Sequence, residues 1–236
     1  MIKFENTRVM NFEGAFRGMR NPLNSWDMSD SRLCSDIDGC NGCESMCMHE
    51  YADIVDDNPY ILGKNDLTLA QKLIKAGSDH RKFLRQIFIS VDITAPLYWW
   101  KEFDTYKVGT VANSCSTMHT IHKKEFTLDD FSHEHLTHYS HDGELCRDWL
   151  GDLEDLIDDL NFAREKFIET KNKKYWWQII QLLPSSYNQK RTVTLSYENA
   201  RAIRHSDRKH HKLDEWRIGF MDWLDSLPYA EELITT

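Results

Sequence analysis

The chain has 236 residues, with 29 basic residues against 38 acidic ones and a formal net charge of −9. Hydrophobic residues make up 41% of it, with 8 Trp, 9 Tyr and 11 Phe, which excludes an intrinsically disordered protein. The acidic balance argues against nucleic acid as a partner, because such binding requires dense neutralisation of phosphates. No apolar run approaches the roughly 18 residues that span a bilayer, and the first residues contain no apolar signal-peptide core. We therefore expect a cytoplasmic protein with no membrane partner.

Hydrophobic periodicity and turn residues predict the elements of the first half. Residues 2–10 are typical of a strand, and "EGAFRGMRN" of a helix. In "DLTLAQKLIKAG" apolar residues recur at helical spacing, with Asp66 as the expected cap and Gly77 as the expected end. "RQIFISVDI" alternates apolar and polar residues, which predicts a half-buried strand. An aromatic helix is then predicted over residues 96–106, beginning at Pro96.

The second half of the chain is predicted to be mostly helical. Residues 124–143 are irregular, and a long acidic helix is predicted from about Asp148. "YWWQIIQLL" predicts a helix that ends at Pro184, "RTVTLSY" predicts a strand, and "NARAIRH" and "LDEWRIGFMDWLDSL" predict further helices. The sequence shows neither an internal repeat nor a low-complexity linker, so we predict a single α+β domain over residues 1–236.

A cysteine-rich stretch, "LCSDIDGCNGCESMCMH", is predicted to be an insertion at about residues 33–50. It carries Cys34, Cys40, Cys43 and Cys47. The C-x2-C-x3-C spacing lets thiolates converge on one ion, so a zinc site or an iron–sulfur cluster is one interpretation. A reduced surface loop is the other, since no second C-x-x-C pair follows at the distance typical of a zinc ribbon.

Positive charge is concentrated in "ARAIRHSDRKHHK", within an otherwise acidic chain. The basic residues are Arg201, Arg204, Arg208, Lys209 and Lys212, and the single acid is Asp207. Such a cluster favours an anionic ligand, for example a phosphate ester, or else forms a solvated helix face. A second polar cluster, "HEHLTHYSH", is interpreted as a surface loop rather than a metal site, because no predicted element fixes its histidines.

Several of these features follow one another in a distinctive order. A helix ends in Gly77 and is followed by His80, the alternating strand, "AP", the aromatic helix and a run of small polar residues. "LLP", "NAR", the basic stretch and "DEW" come later. This order resembles the flavin-dependent thymidylate synthases. The resemblance covers most of residues 66–226, with a looser match in "VMNFEGAFRGMRN".

The signature motif of that family, R-H-R-x-x-S-x-N-E-x-S-x-R-Y, is largely replaced in this chain. An ungapped alignment lays it over "TYKVGTVANSCSTM", with Lys107 at the second arginine and Cys115 at the second serine. A shift by one residue instead places Asn113 at the motif asparagine and Ser116 at the second serine, and both registers remain open. Lys107 keeps a positive charge but cannot form the bidentate fork of arginine.

The resemblance also implies roles for single residues. The flavin-contacting positions match His80, Asn199, Arg201 and His205, and the substrate-binding positions match Glu102 and either Arg208 or Lys209. Cys115 is a candidate nucleophile toward the pyrimidine ring if a neighbouring cation such as Lys107 lowers its pKa. A small, unreactive thiol is the alternative.

The resemblance implies an antiparallel sheet with long helices and an enzyme that methylates deoxyuridylate with FAD. Methylenetetrahydrofolate would supply the carbon, and NADPH would reduce the flavin. The family assembles as a homotetramer with FAD between subunits, so we expect the aromatic helix to be buried between subunits and the small polar loop to line the pocket. Two alternatives stay open. One is a related flavin-dependent modification of a pyrimidine nucleotide, such as hydroxymethylation, and the other is a non-catalytic metal-binding protein with the same fold.

Overall fold

The computed structural model describes residues 2–34, 59–142 and 145–236. The strands are β1 Lys3–Met10, β2 Arg32–Leu33, β3 Tyr60–Ile61, β4 Phe88–Pro96, β5 Val111–Ser114, β6 Ser140–Asp142, β7 Leu145–Arg147 and β8 Asn188–Ser196. Four of them form one sheet in the order β1-β4-β8-β5, and β2-β3 and β6-β7 form two antiparallel pairs. The predicted α+β class with an antiparallel sheet is confirmed.

The α-helices of these residues are α1 Phe12–Arg20, α2 Lys64–Ala76, α3 Leu97–Phe103, α4 Thr117–Thr120, α5 Trp149–Thr170, α6 Lys173–Leu182, α7 Tyr197–Arg204 and α8 Met221–Asp225. Two π-helical turns cover Glu215–Phe220 and Glu231–Thr235. The predicted start of the long acidic helix is confirmed, because the Asp148 side chain caps α5 and accepts a hydrogen bond from Gly151 N. Among the described helices, none combines the length and apolar character needed to cross a membrane.

The chain packs into two compact units. Unit 1 comprises Met1–Lys3, Thr94–Thr105 and Ser114–Arg191, and unit 2 comprises Phe4–Ile93, Tyr106–Asn113 and Thr192–Thr236. In unit 1, α5 and α6 pack together over a hydrophobic cluster of Ile121, Phe126, Phe131, Leu153, Ile157, Leu160, Ala163 and Ile179. The single domain expected for the whole chain stays a prediction.

Helix α3 of unit 1 carries the aromatic cluster noted in the sequence. Trp99, Trp100 and Phe103 are 0%, 1% and 2% exposed, and their rings pack against one another. The Trp100 Nε1 donates to the Gln189 carbonyl at 2.9 Å, and the Arg191 guanidinium lies 4.2 Å from the Trp100 ring centroid. Its aromatic face fills the core of its own unit, and the expectation that the helix is buried between subunits stays a prediction.

Strand β4 and helix α1 supply much of the core of unit 2. The alternation predicted for β4 is confirmed, since Ile89, Val91 and Ile93 are 0% exposed. Phe12 of α1 contacts the rings of Tyr60, Tyr197 and Tyr229, with centroids 5.6 to 6.1 Å apart. Aromatic rings at such distances add to the stability that buried area provides.

Helices α1 and α2 are joined by a buried ion pair between Arg20 and Asp66. The Arg20 Nε lies 2.6 Å from Asp66 Oδ1, with the side chains 3% and 0% exposed. Asp66 Oδ2 accepts hydrogen bonds from Ser29 Oγ at 2.7 Å and Ser31 N at 3.2 Å. Burial alone would raise the pKa of Asp66, but hydrogen bonds from Ser31, Ser29 and Arg20 hold that pKa below its ordinary value. The prediction that Asp66 caps α2 is wrong, because it lies inside the first turn of the helix.

Candidate functional site

Helix α7 of unit 2 begins with a capping box that fixes Asn199. The Ser196 hydroxyl accepts a hydrogen bond from Asn199 N at 3.3 Å and donates one to Asn199 Oδ1 at 2.7 Å. The same Oδ1 accepts from Ser196 N at 3.2 Å. A capping box satisfies backbone N–H groups that the first helical turn leaves without a partner. Asn199 therefore has one orientation, on the helix that also carries Arg201.

Asn199 also holds the loop that carries Lys107. Its Nδ2 donates to the Val108 carbonyl at 2.8 Å. Gly109 follows with a φ of +82°, and a Cβ at Gly109 would lie 2.7 Å from Asn199 Oδ1, so the close approach requires glycine. Lys107 itself is exposed. In unit 2 the loop with Lys107 is thus held against Asn199 of α7, although the resemblance assigns the two residues different roles.

Arg208 lies against two aromatic rings of unit 2. Its Nε donates to the Tyr106 hydroxyl at 2.8 Å. Its guanidinium carbon is 4.7 Å from the Trp216 ring centroid and 5.4 Å from that of Tyr106. Trp216 is fully buried and fixes the stack. A stacked guanidinium has a defined plane, which suits recognition of a phosphate. Lys209, by comparison, has an exposed side chain. Tyr106 and Trp216 therefore give Arg208 a defined orientation, and its substrate-binding role stays a prediction.

Arg201 and His205 converge on the C-terminal turn. The Arg201 Nη1 and the His205 Nε2 each lie 2.9 Å from the Ile234 carbonyl oxygen. Burial and the charge of Arg201 lower the pKa of His205, although the hydrogen bond with Ile234 opposes this effect. His205 is therefore neutral at neutral pH and donates from Nε2. Burial and the nearby Arg81 lower the pKa of Arg201 as well.

His80 is exposed in the turn after α2. The next residue, Arg81, forms an ion pair with Glu198 of α7, with Nε 2.8 Å from Oε2. This pair brings the His80 turn to the first turn of α7. Sequence analysis missed Arg81 and Glu198 because they lie 117 positions apart, and the charged residue next to His80 was the one local signal.

The groups that hold Arg208, Arg201 and His205 were not predicted from the sequence. Tyr106 lies at the histidine of the family motif in the ungapped alignment over "TYKVGTVANSCSTM", and its hydroxyl accepts a hydrogen bond from Arg208. The backbone carbonyl of Ile234 serves both Arg201 and His205. A backbone acceptor leaves no trace in residue type, so no sequence signal marks Ile234.

Unit 1 contains the remaining predicted residues, Glu102 and Cys115. Glu102 is half-buried on α3, beside the buried Phe103. Cys115 is an exposed free thiol. Its backbone is fixed, because its N–H donates to the Lys190 carbonyl at 3.0 Å and its carbonyl accepts from Gln189 Nε2 at 3.0 Å. The nucleophilic role of Cys115 and the supporting role of Lys107 stay predictions.

Cys34 belongs to the predicted metal cluster and lies within the described residues. It is a buried free thiol, and its N–H donates to the Pro59 carbonyl at 2.7 Å. The other predicted ligands, Cys40, Cys43 and Cys47, lie outside the described residues. Across ranges 2–34, 59–142 and 145–236, no group of three or more His, Cys, Asp or Glu side chains is placed to hold a metal ion. The metal site stays a prediction.

Neither a scan against protein-family models nor a search of curated proteins gives a match. Among solved structures, the chain is similar to thymidylate synthase X (ThyX) from Helicobacter pylori with FAD and dUMP. That match has a TM-score of 0.58 and 13% identity, and it covers 97% of this chain and 96% of that chain. A second structure of the same flavin-dependent enzyme, complexed with FAD and dUMP, gives the same score and identity over 96% and 97% of the two chains. The chain therefore has the fold of the ThyX flavin-dependent thymidylate synthases.

Proposed function

We propose that the protein is a flavin-dependent enzyme that methylates deoxyuridylate with methylenetetrahydrofolate, in the manner of the synthases whose fold it has. The observation that carries the proposal is helix α7. It carries Asn199 and Arg201, and His205 follows at its C-terminal cap, which are positions that the resemblance assigns to flavin contacts. The stacked Arg208, one turn beyond the helix, supports a second, anionic ligand.

The donors on α7 fit a flavin. An isoalloxazine ring carries carbonyl oxygens and ring nitrogens along one edge, and these accept hydrogen bonds. In the described part of the chain, Arg201 donates from Nη1 to the Ile234 carbonyl, and Asn199 donates from Nδ2 to the Val108 carbonyl. Each side chain has further N–H groups that can donate to a ligand. Asn199, Arg201 and His80 would hold the cofactor. When bound and reduced, a flavin supplies the hydride that side chains cannot.

Arg208 would bind the nucleotide phosphate, and Lys107 would support catalysis by Cys115. Trp216 and Tyr106 fix the plane of the Arg208 guanidinium, so little side-chain freedom is lost when an anion binds. Cys115 would act as the nucleophile toward the pyrimidine ring, and Glu102 would contact the substrate. The resemblance alone supports the roles of Cys115 and Glu102.

The proposed assembly is a homotetramer with FAD between subunits. Val108, on the loop that carries Lys107, is 89% exposed, and Val111, the first residue of β5, is 66% exposed. Apolar side chains this exposed beside a candidate site support a surface that a second copy covers. NADPH as the reductant of the flavin belongs to the same proposal.

Replacement of Arg208 tests the nucleotide site. We expect Arg208→Gln to weaken deoxyuridylate binding by about tenfold to a hundredfold, because a charge-assisted hydrogen bond to phosphate is lost. Arg208→Lys should give an intermediate loss, since it keeps the charge without the stacked fork. Isothermal titration calorimetry of the FAD-saturated protein measures both.

Arg217→Gln is the matched control for this measurement. Arg217 is exposed and pairs with Asp214, so its replacement removes the same charge beside Trp216 without touching Arg208. Equal deoxyuridylate affinity in the Arg208→Gln and wild-type proteins would remove Arg208 from the proposed site.

A further inference from the structure

A cavity of about 250 Å³ lies in unit 2 between α1, residues 26–33 and Tyr60. Three arginines, Arg17, Arg20 and Arg32, line it together with the carboxylate of Glu13. The Arg20 charge is paired with Asp66, which leaves Arg17 and Arg32 as the exposed cations of the lining. No residue of this lining has been assigned above to flavin, nucleotide or metal. The cavity therefore needs its own explanation.

Arg20 lies at the buried end of this cavity and is 2% exposed. Its Nε is bound to Asp66, and its Nη1 lies 3.3 Å from both the carbonyl oxygen and the hydroxyl of Ser25. Its Nη2 is buried and has no hydrogen-bond partner among the described residues. A charged donor that is buried without an acceptor destabilises a protein. A ligand that brings an acceptor to Nη2 would therefore be bound favourably. The Asp66 carboxylate is already shared with Ser29 and Ser31.

The walls of the cavity are preformed. Strand β2 pairs with β3, which places Leu33 opposite Tyr60. The Trp26 Nε1 donates to Asn21 Oδ1 at 2.8 Å. Burial, followed by neighbouring carboxylate charges, raises the pKa of Tyr60 to about 12 although a hydrogen bond with Ser31 opposes this. The phenol is therefore protonated at neutral pH and adds no negative charge to the cavity.

We propose that this cavity binds a small molecule through a phosphate or carboxylate group held by Arg17, Arg20 and Arg32. Guanidinium groups match the planar or tetrahedral oxygens of such anions and donate several hydrogen bonds at once. The volume lies below the roughly 300–1,000 Å³ typical of drug-sized ligands, so the ligand is small. Trp26 and Leu33 offer apolar surface to its remainder. This site goes beyond the proposed function, since none of its lining residues is assigned to the flavin or to deoxyuridylate.

The proposal is tested on the full chain with inorganic phosphate and succinate as separate probes. Each is titrated at constant ionic strength, and the dissociation constant is taken from the rise of the thermal unfolding midpoint. We expect Arg17→Gln and Arg32→Gln to weaken binding of the preferred anion by about tenfold or more each. Both side chains are exposed, so folding should survive, whereas a change at the buried Arg20 risks unfolding.

Arg85→Gln provides the matched control. Arg85 is exposed in the same unit and lies outside the cavity lining, and its replacement removes one identical charge. Binding of phosphate but not succinate identifies a phosphate ligand, and the reverse identifies a carboxylate. The proposal is overturned if the wild-type protein binds neither anion, or if Arg85→Gln weakens binding as much as Arg17→Gln and Arg32→Gln do.

Discussion

At the residue scale, Asp66 shows how one buried charge organises a part of the chain that hydrophobic periodicity does not define. It accepts hydrogen bonds from Arg20 of α1 and from Ser29 and Ser31. The sequence predicted a helix cap here because Asp is common at that position. What decides its role is Arg20, 46 positions away, whose burial requires a counter-ion. A partner that distant leaves no local pattern.

Loss of the Asp66 charge should destabilise the fold strongly. We expect Asp66→Asn to lower the free energy of unfolding by about 3–5 kcal/mol, because Arg20 then stays buried without its counter-ion. Urea denaturation measures the change. The control is Asp225→Asn, which breaks a two-point pair with Arg204 that is partly exposed and should cost under about 1 kcal/mol. Equal losses in both variants would contradict the account of Asp66.

The charge of Asp66 also makes the stability of the fold depend on pH, and the direction of this dependence follows from its pKa. The pKa of Asp66 is lowered in the folded protein, so the unfolded chain, with an ordinary pKa of about 3.9, takes up the proton first as pH falls. The stability from the Asp66 charge is therefore present above about pH 4 and is lost as pH falls through the folded pKa. We expect the difference in unfolding free energy between wild-type and Asp66→Asn proteins to shrink on acidification. A difference that stays constant down to about pH 3 is the result that this mechanism does not allow.

At the element scale, the first turn of α7 determines where the loop with Lys107 lies. Asn199 is at once part of the capping box and the donor to the Val108 carbonyl. The sequence placed Asn199 at the start of a predicted helix, and the resemblance assigned it a flavin contact. The structure shows that Asn199 belongs to the capping box and also binds the loop with Lys107. Gly109 allows the backbone of this loop to approach Asn199 closely. The ligand role stays a prediction.

Gly109→Ala should detach this loop from α7. An added Cβ would lie 2.7 Å from Asn199 Oδ1, at a φ of +82° that L residues rarely adopt. We expect faster hydrogen exchange in residues 106–113 with unchanged protection of β4. Gly77→Ala is the control, since its φ is +107° but its Cβ would meet no atom within 4 Å. Faster exchange of the loop in both variants would show general destabilisation instead.

At the scale of the whole molecule, the local pattern predicted most elements and few of the contacts. Helix α5 and strand β4 follow periodicity over many residues, so their positions were predictable. The role of α3 was not, because aromatic composition does not reveal which surface covers Trp99 and Trp100. The order of the predicted site residues led to the right fold, since order survives when a signature motif is replaced. The hydrogen-bond partners of Arg201 and Arg208 are determined by tertiary packing. They cannot be predicted from the local pattern of a single sequence.

A flavin site built on α7 is tested by titrating the purified full chain with FAD and following flavin absorbance and fluorescence. We expect saturable, stoichiometric binding in the wild-type protein and weaker binding by about tenfold or more in Arg201→Gln, which loses charged donors on α7. Arg85→Gln, which removes the same charge elsewhere in unit 2, should bind like wild type. A well-folded wild-type protein that binds no FAD, with or without deoxyuridylate present, would contradict the account.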